Sequence, residues 1–247
     1  MNIQHKALVI GASGGIGEAI LGELVKAQKH SEVHGISRSL PTNLIEEVNY
    51  HGIAEHNETS ISACCHKLAQ LGGLFSTVVC CIGTLHDKTV SGVNIQPEKR
   101  LEDLHAEQLH HYFHVNTIIP ALWLKALEPL VKGQHQAKVI FLTARVGSIS
   151  DNRLGGWYGY RASKAALNML IKSAQIELQR RAKNVTLVSY HPGTVDTSLS
   201  KPFQSNVKAE KLFSAHFTAQ QLLSQLDDLH AQDGPYYLDW QGKTIPW

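Results

Sequence analysis

No stretch of this chain approaches the roughly 20 consecutive apolar residues that a membrane span requires. Excess charge of one sign is equally absent. The formal charge is +2 and scattered, which excludes the basic stripe of a nucleic-acid binder. Cysteine is sparse, with four residues in adjacent pairs, Cys64-Cys65 and Cys80-Cys81. Neighbouring cysteines are poor disulfide partners and do not match zinc spacings, so buried packing is the preferred reading. The 15 histidines are dispersed without an HExxH-type cluster, and no metal site is expected. The N-terminal apolar run, Ala7-Leu8-Val9-Ile10, is too short for a signal-peptide core. A reducing, cytoplasmic setting is therefore expected, with neither membrane nor nucleic acid as partner. What the chain does contain is an ordinary globular balance, 43% hydrophobic and 18% charged over 247 residues. That suits one large α/β domain over residues 1–247.

Apolar runs predict strands at about 6–10, 32–37, 47–53, 74–82, 137–143 and 185–190. Helical periodicity intervenes at about 15–28, at Ile61/Cys64/Leu68/Leu71, at 107–131, at 158–182 and from about Thr218. In the last, Thr218-Ala219-Gln220-Gln221 resembles a capping box. Near-continuous apolar strands alternating with helices predict a doubly wound, Rossmann-like parallel sheet with helices on both faces. Two segments are irregular, about 83–106 and 191–213. Both follow strands, so both could border a ligand site beyond the carboxyl ends of the sheet.

The most informative segment is Gly11-Ala12-Ser13-Gly14-Gly15-Ile16-Gly17, between the first strand and the first helix. Glycines let the backbone approach a phosphate, and a helix N-terminus points free N–H groups and a positive dipole end at it. Ser13 breaks the GxGxxG order, and no Gly-Lys-Ser/Thr follows as in a P-loop. The glycines fit both G-x-x-x-G-x-G and G-x-x-G-x-x-G. Further on, Tyr160 and Lys164 stand four apart on one helix face. A nearby ammonium, together with the positive nicotinamide of an oxidised cofactor, would lower the phenol pKa from about 10. Such a phenol can exchange a proton with a carbonyl or alcohol oxygen as hydride moves.

With these motifs in order, the chain resembles the short-chain dehydrogenase/reductase family over essentially its whole length. Tyr160-Arg161-Ala162-Ser163-Lys164 matches the family's Y-x-x-x-K, and Asn116 matches its proton-relay asparagine, which holds a water linking Lys164 to solvent. Gly11, Ser13, Gly15, Ile16 and Gly17 fall on the pyrophosphate turn. Pro192-Gly193-Thr194-Val195-Asp196-Thr197 matches P-G-x-V-x-T, whose Val195 and Thr197 approach the nicotinamide. Residues 147–158 and the ending 238–247 are similar to a carbonyl-reductase branch related to the bacterial C-factor signalling proteins.

The chain also departs from the family pattern. Ala144 stands where the strand-end alignment places the catalytic serine. Thr143 and Ser148 are the candidate replacement hydroxyls that would orient the substrate oxygen. The N-N-A-G after the fourth strand reads Cys80-Cys81-Ile82-Gly83, which keeps only the glycine that approaches the adenosine side. No acid follows the third strand, where Ala54-Glu55-His56-Asn57 stands.

The second strand ends Ser37-Arg38-Ser39 without the carboxylate that would hold a 2′-hydroxyl. Ser37 and Arg38 would instead hold a 2′-phosphate, so NADP(H) is expected in preference to NAD(H). Leu85, His86, Leu154, Trp157, Leu199 and Phe203 are candidate walls for a hydrophobic or aromatic carbonyl substrate, with about 194–215 as a lid. The resemblance implies an NADPH-dependent ketone or aldehyde reductase. It also implies a homodimer or homotetramer built on the helices near 107–132 and 158–183. The alternative is a C-factor-type dinucleotide-binding signalling or sensor protein with weak catalysis.

Overall fold

The computed structural model describes residues 5–41, 43–88, 92 and 94–247, without the Asn206 side chain. Positions 89–91 and 93, inside the predicted irregular segment 83–106, lie outside the described residues. Seven strands form one sheet: β1 (Lys6–Ile10), β2 (Glu32–Ser37), β3 (Val48–Gly52), β4 (Phe75–Cys80), β5 (Ala137–Leu142), β6 (Val185–His191) and β7 (Tyr236–Asp239). Their order is β7-β6-β5-β4-β1-β2-β3, every pairing parallel. The chain therefore reverses direction across the sheet between β1 and β4, the crevice where such folds bind ligands.

Residue alternation divides the core into two layers. Leu8, Ile10, Val78, Cys80, Val139, Phe141 and Leu187 face α2 (Glu58–Gln70), α4 (Ile119–Val131) and α5 (Tyr158–Arg181). Ala7, Val9, Val79, Ile140, Leu142, Val188 and Tyr190 face α1 (Gly15–Ala27) and α6 (Ala215–Gln225). Both faces of the central strands are thus dry, which explains their unbroken apolar runs. All four cysteines are free thiols, and Cys64, Cys65 and Cys80 are buried.

The structure departs from the sequence expectation in three places. A seventh strand, β7, lies beside β6; its four residues are too short a run to stand out. The expected helix at 107–131 is divided into α3 (Ala106–Phe113) and α4 by a π turn, His114–Ile118, that contains Asn116. The sixth helix starts at Ala215, capped by the Ser214 hydroxyl accepting from Phe217 N–H at 3.1 Å. Thr218 does not cap it; it is a buried residue of its first turns.

Candidate active site

The glycine turn is built for a close ligand. Gly11 has φ +85°, and a side chain there would press on the Cys81 backbone, 3.3 Å away. A Cβ on Gly17 would collide with the Gly11 carbonyl oxygen. The N-terminus of α1 carries no side-chain cap on Gly14, so its first amides stay available to an anion. A Cβ on Gly14 would meet only an ordinary contact, Gly11 O at 3.5 Å, which leaves G-x-x-x-G-x-G as the pattern the backbone needs.

From this turn a cleft of about 1290 Å³ runs past Ser13, Ser37, Arg38, residues 54–57 and Gly83. Arg38 is exposed there, and no carboxylate pairs with it among the described residues. The Ser37 hydroxyl donates to Ser39 O at 2.6 Å. His56 accepts from the buried Trp123 indole at 3.3 Å. Burial, with Arg38 adding, pushes His56 down to about 4. Asn57 is committed to capping α2 through Ser60 N–H at 2.8 Å.

The cleft opens into a second cavity of about 280 Å³ at the ends of β5 and β6. Ile16, Gly83, Pro192, Gly193, Val195 and Thr197 line it, as do Thr143, Ala144, Tyr160 and Lys164. Tyr160 is 7% exposed. Its ring is held edge-on by Trp157 and Tyr112, both with centroids at 6.1 Å. Tyr112 is fixed in turn by its hydroxyl, which donates to Leu85 O at 2.7 Å. One turn along α5, the Lys164 ammonium donates to Leu142 O at 2.9 Å and lies 5.9 Å from the Tyr160 ring centre. Burial pushes Lys164 down to about 8. Burial also pushes Tyr160 above the usual phenol value, with Tyr237 adding. In the protein alone the phenol is therefore held in its protonated form.

Asn116 spends its side chain on protein. Its Oδ1 accepts from Thr84 N–H at 2.8 Å, while its Nδ2 donates to Thr84 O at 3.0 Å and to Ser163 Oγ at 3.1 Å. These bonds tie the segment after β4 to α5 beside Lys164.

The two candidate hydroxyls separate cleanly. Ser148 donates to Pro246 O at 2.5 Å and accepts from Asp151 N–H at 3.1 Å. It braces a loop against the residues after β7 and does not line the cavity, which corrects its candidacy as the substrate-orienting hydroxyl. Thr143 lines the cavity, is 4% exposed, and its Oγ1 has no partner among the described residues. Ala144 packs in one apolar cluster with Leu85, Tyr112 and Tyr160, so a methyl group occupies the serine position. Its carbonyl accepts the Tyr237 hydroxyl at 2.6 Å, a brace from β7 that the sequence did not announce.

Of the expected walls, Leu85, Trp157, Leu199 and Phe203 line the cavity. His86 sits behind Phe203, with centroids at 5.8 Å, and bonds Ser198 O at 3.1 Å. Leu154 is 92% exposed and lies away from the cavity, a correction whose cause is the outward turn at Gly155 and Gly156, both at positive φ. Residues 194–213 form a loop closed by a short parallel ladder, Thr194–Val195 against Leu212–Phe213. Phe203 folds from it onto Trp157 at 5.5 Å. His191, directly before Pro192-Gly193, also faces the cavity. The sequence reading passed it over, although its place next to that motif marked it.

The family model for short chain dehydrogenase matches residues 5–208. The chain belongs to the short chain dehydrogenase family. It is accordingly an oxidoreductase that takes a nicotinamide dinucleotide, and the uncapped glycine turn and cleft fit that group. The C-signal of Myxococcus xanthus is 30% identical over 147 residues, 60% of this chain and 83% of the relative. Two solved structures share the fold: the carbonyl reductase Sniffer of D. melanogaster has a TM-score of 0.83 at 20% identity, covering 99% of this chain and 100% of that one. An NADPH-bound carbonyl reductase from chicken fatty liver has a TM-score of 0.82 at 20% identity, covering 100% and 97%. The family match and the likeness to the C-signal give a C-factor-like short chain dehydrogenase, and the two solved structures give the shared fold.

Proposed function

We propose that this protein is an NADPH-dependent reductase of ketones or aldehydes with a hydrophobic or aromatic body. The observation that carries the reading is the buried pair Tyr160 and Lys164 facing a cavity in which the Thr143 hydroxyl is unpaired. When bound, the dinucleotide supplies the hydride to the carbonyl carbon. Tyr160, protonated because it is buried, gives its proton to the carbonyl oxygen as negative charge develops there. Thr143 donates to the same oxygen and fixes its orientation, the task that Ala144 cannot perform. Lys164 keeps positive charge beside the phenol and so stabilises the tyrosinate left after proton transfer. Asn116 holds this arrangement by tying Thr84 to α5.

Preference for NADP(H) over NAD(H) rests on Arg38 at the cleft rim and on the absence of an acid at the end of β2; it agrees with the NADPH named for the chicken carbonyl reductase. The apolar wall of Leu85, Trp157, Leu199 and Phe203 selects the substrate body, and residues 194–215 act as its lid. Exposed Ile118, Met169, Leu170 and Ile176 on the α4 and α5 side are the faces through which a homodimer or homotetramer forms. Free, buried thiols suit a cytoplasmic setting.

A second reading follows from the methyl at Ala144 and from the likeness to the C-signal: a dinucleotide-binding signalling protein with weak chemistry. Titration with NADPH, followed by a carbonyl panel read at 340 nm, separates them. Turnover on aromatic ketones supports the reductase. Tight NADPH binding with no turnover across the panel supports the signalling protein.

A further inference from the structure

His191 is a titratable group that the mechanism above does not use. It ends β6, and the register sets it opposite Asp239 of β7. On its other side β5 pairs Leu142 with Tyr190, and Thr143 N–H continues that ladder to Tyr190 O at 2.9 Å. Thr143 and His191 therefore leave their strands side by side, and both line the cavity. Both also carry buried polar atoms without a partner, Thr143 Oγ1 and His191 Nδ1. Neither imidazole nitrogen makes a hydrogen bond to the described protein.

Arg145 and Asp239 sit close to the ring but pair with each other at 2.9 Å. Burial, with Arg145 adding and Asp239 opposing, pushes His191 down to about 4. The imidazole is thus neutral at pH 7, one nitrogen a donor and the other an acceptor. Buried polar groups are almost always paired in a working protein, and His191 lines the substrate cavity.

A carbonyl oxygen has two lone pairs, and Tyr160 and Thr143 between them take both. His191 is left over, beside Thr143, with no place on the reacting oxygen. Resting on the reductase reading, we propose that His191 is a substrate-contacting specificity residue. It hydrogen-bonds a second, uncharged oxygen on the carbon next to the reacting carbonyl, so the favoured substrates are 1,2-dicarbonyls and α-hydroxyketones. Neighbouring strands lie about 4.8 Å apart, a separation at which two side chains can serve oxygens on adjacent carbons. A carboxylate is disfavoured, since the ring brings no positive charge to it.

The test compares 1-phenyl-1,2-propanedione with propiophenone, which has the same skeleton without the second oxygen, under saturating NADPH. In the wild type and in His191→Leu the ratio of the two kcat/KM values is measured, with the NADPH Kd determined separately. The expected result is a fall of the dione-to-ketone ratio by about 10- to 100-fold in the variant, with the NADPH Kd unchanged. His191→Gln, which keeps a donor and an acceptor, restores part of the ratio and covers a Leu variant that fails to fold. Parallel loss on both substrates, or an equal loss of NADPH affinity, overturns the assignment of His191 while leaving the reductase reading intact. A wild type that binds NADPH and reduces neither ketone overturns the reductase reading, and this proposal with it.

Discussion

Replacing Thr143 with valine should move activity and stability in opposite directions. The side chain is 4% exposed, and its Oγ1 is enclosed without a partner. Valine keeps the β-branched shape and removes only the hydroxyl, while the backbone N–H bond to Tyr190 O is untouched. A buried, unpaired hydroxyl costs about 1–3 kcal/mol. Its removal should stabilise the protein by that order, or by about 2–4 °C in melting temperature for each kcal/mol at this chain length. The same hydroxyl is assigned to the oxygen that gathers charge during reduction. Loss of one such donor costs about 100-fold in kcat. The assay is steady-state NADPH oxidation on an aromatic ketone, with thermal melts on the same samples. Ala144→Ser, which puts a hydroxyl into the cluster beside Tyr160, should recover part of the lost kcat in the double variant. Unchanged kcat would refute the catalytic assignment, and a lower melting temperature would show that the hydroxyl serves the fold.

Arg38→Asp should weaken NADPH binding by about 100-fold and leave NADH within a few-fold, because it exchanges a charged phosphate donor for a repelling carboxylate; equal losses in a fluorescence titration would contradict this. His34 and His51, bonded to each other at 2.9 Å beside Glu32, are both held below 6.5 by burial. The unfolded chain therefore takes up protons first, so their contribution is full above pH 6.5 and is lost as the pH falls below it. A urea midpoint that stays flat from pH 7 to 5 would contradict that. Met169→Glu with Leu170→Glu, on the exposed side of α5, should yield a monomer by light scattering, and an unchanged mass would place the subunit contact elsewhere.

Much of this architecture was legible in sequence because period and composition agreed locally. Strands β1, β2, β5 and β6 are buried on both faces and read as continuous apolar runs. The glycine turn was legible because only glycine fits where Gly17 meets the Gly11 carbonyl. Tyr160 and Lys164 were legible because four residues are about one helical turn. What escaped depends on distant chain. Ser148 has a plausible spacing, yet its hydroxyl is claimed by Pro246, 98 residues away. The Thr218 motif is a reasonable cap in isolation, but Ser214 starts the helix earlier. The bonds between the Asn116 amide and Thr84, made across a loop and a π turn, have no local signal in the sequence. The burial of Tyr160, which with Tyr237 raises its pKa in the protein alone, is likewise set by chain distant in sequence.

The most direct test of the account is Tyr160→Phe. Its ring contacts with Trp157 and Tyr112 survive the change, so the fold and the dinucleotide site should remain. The account predicts an NADPH Kd within about twofold of wild type and a fall in ketone reduction by at least about 100-fold, across the whole pH range. A Tyr160→Phe protein that still reduces ketones at near wild-type rates would contradict it.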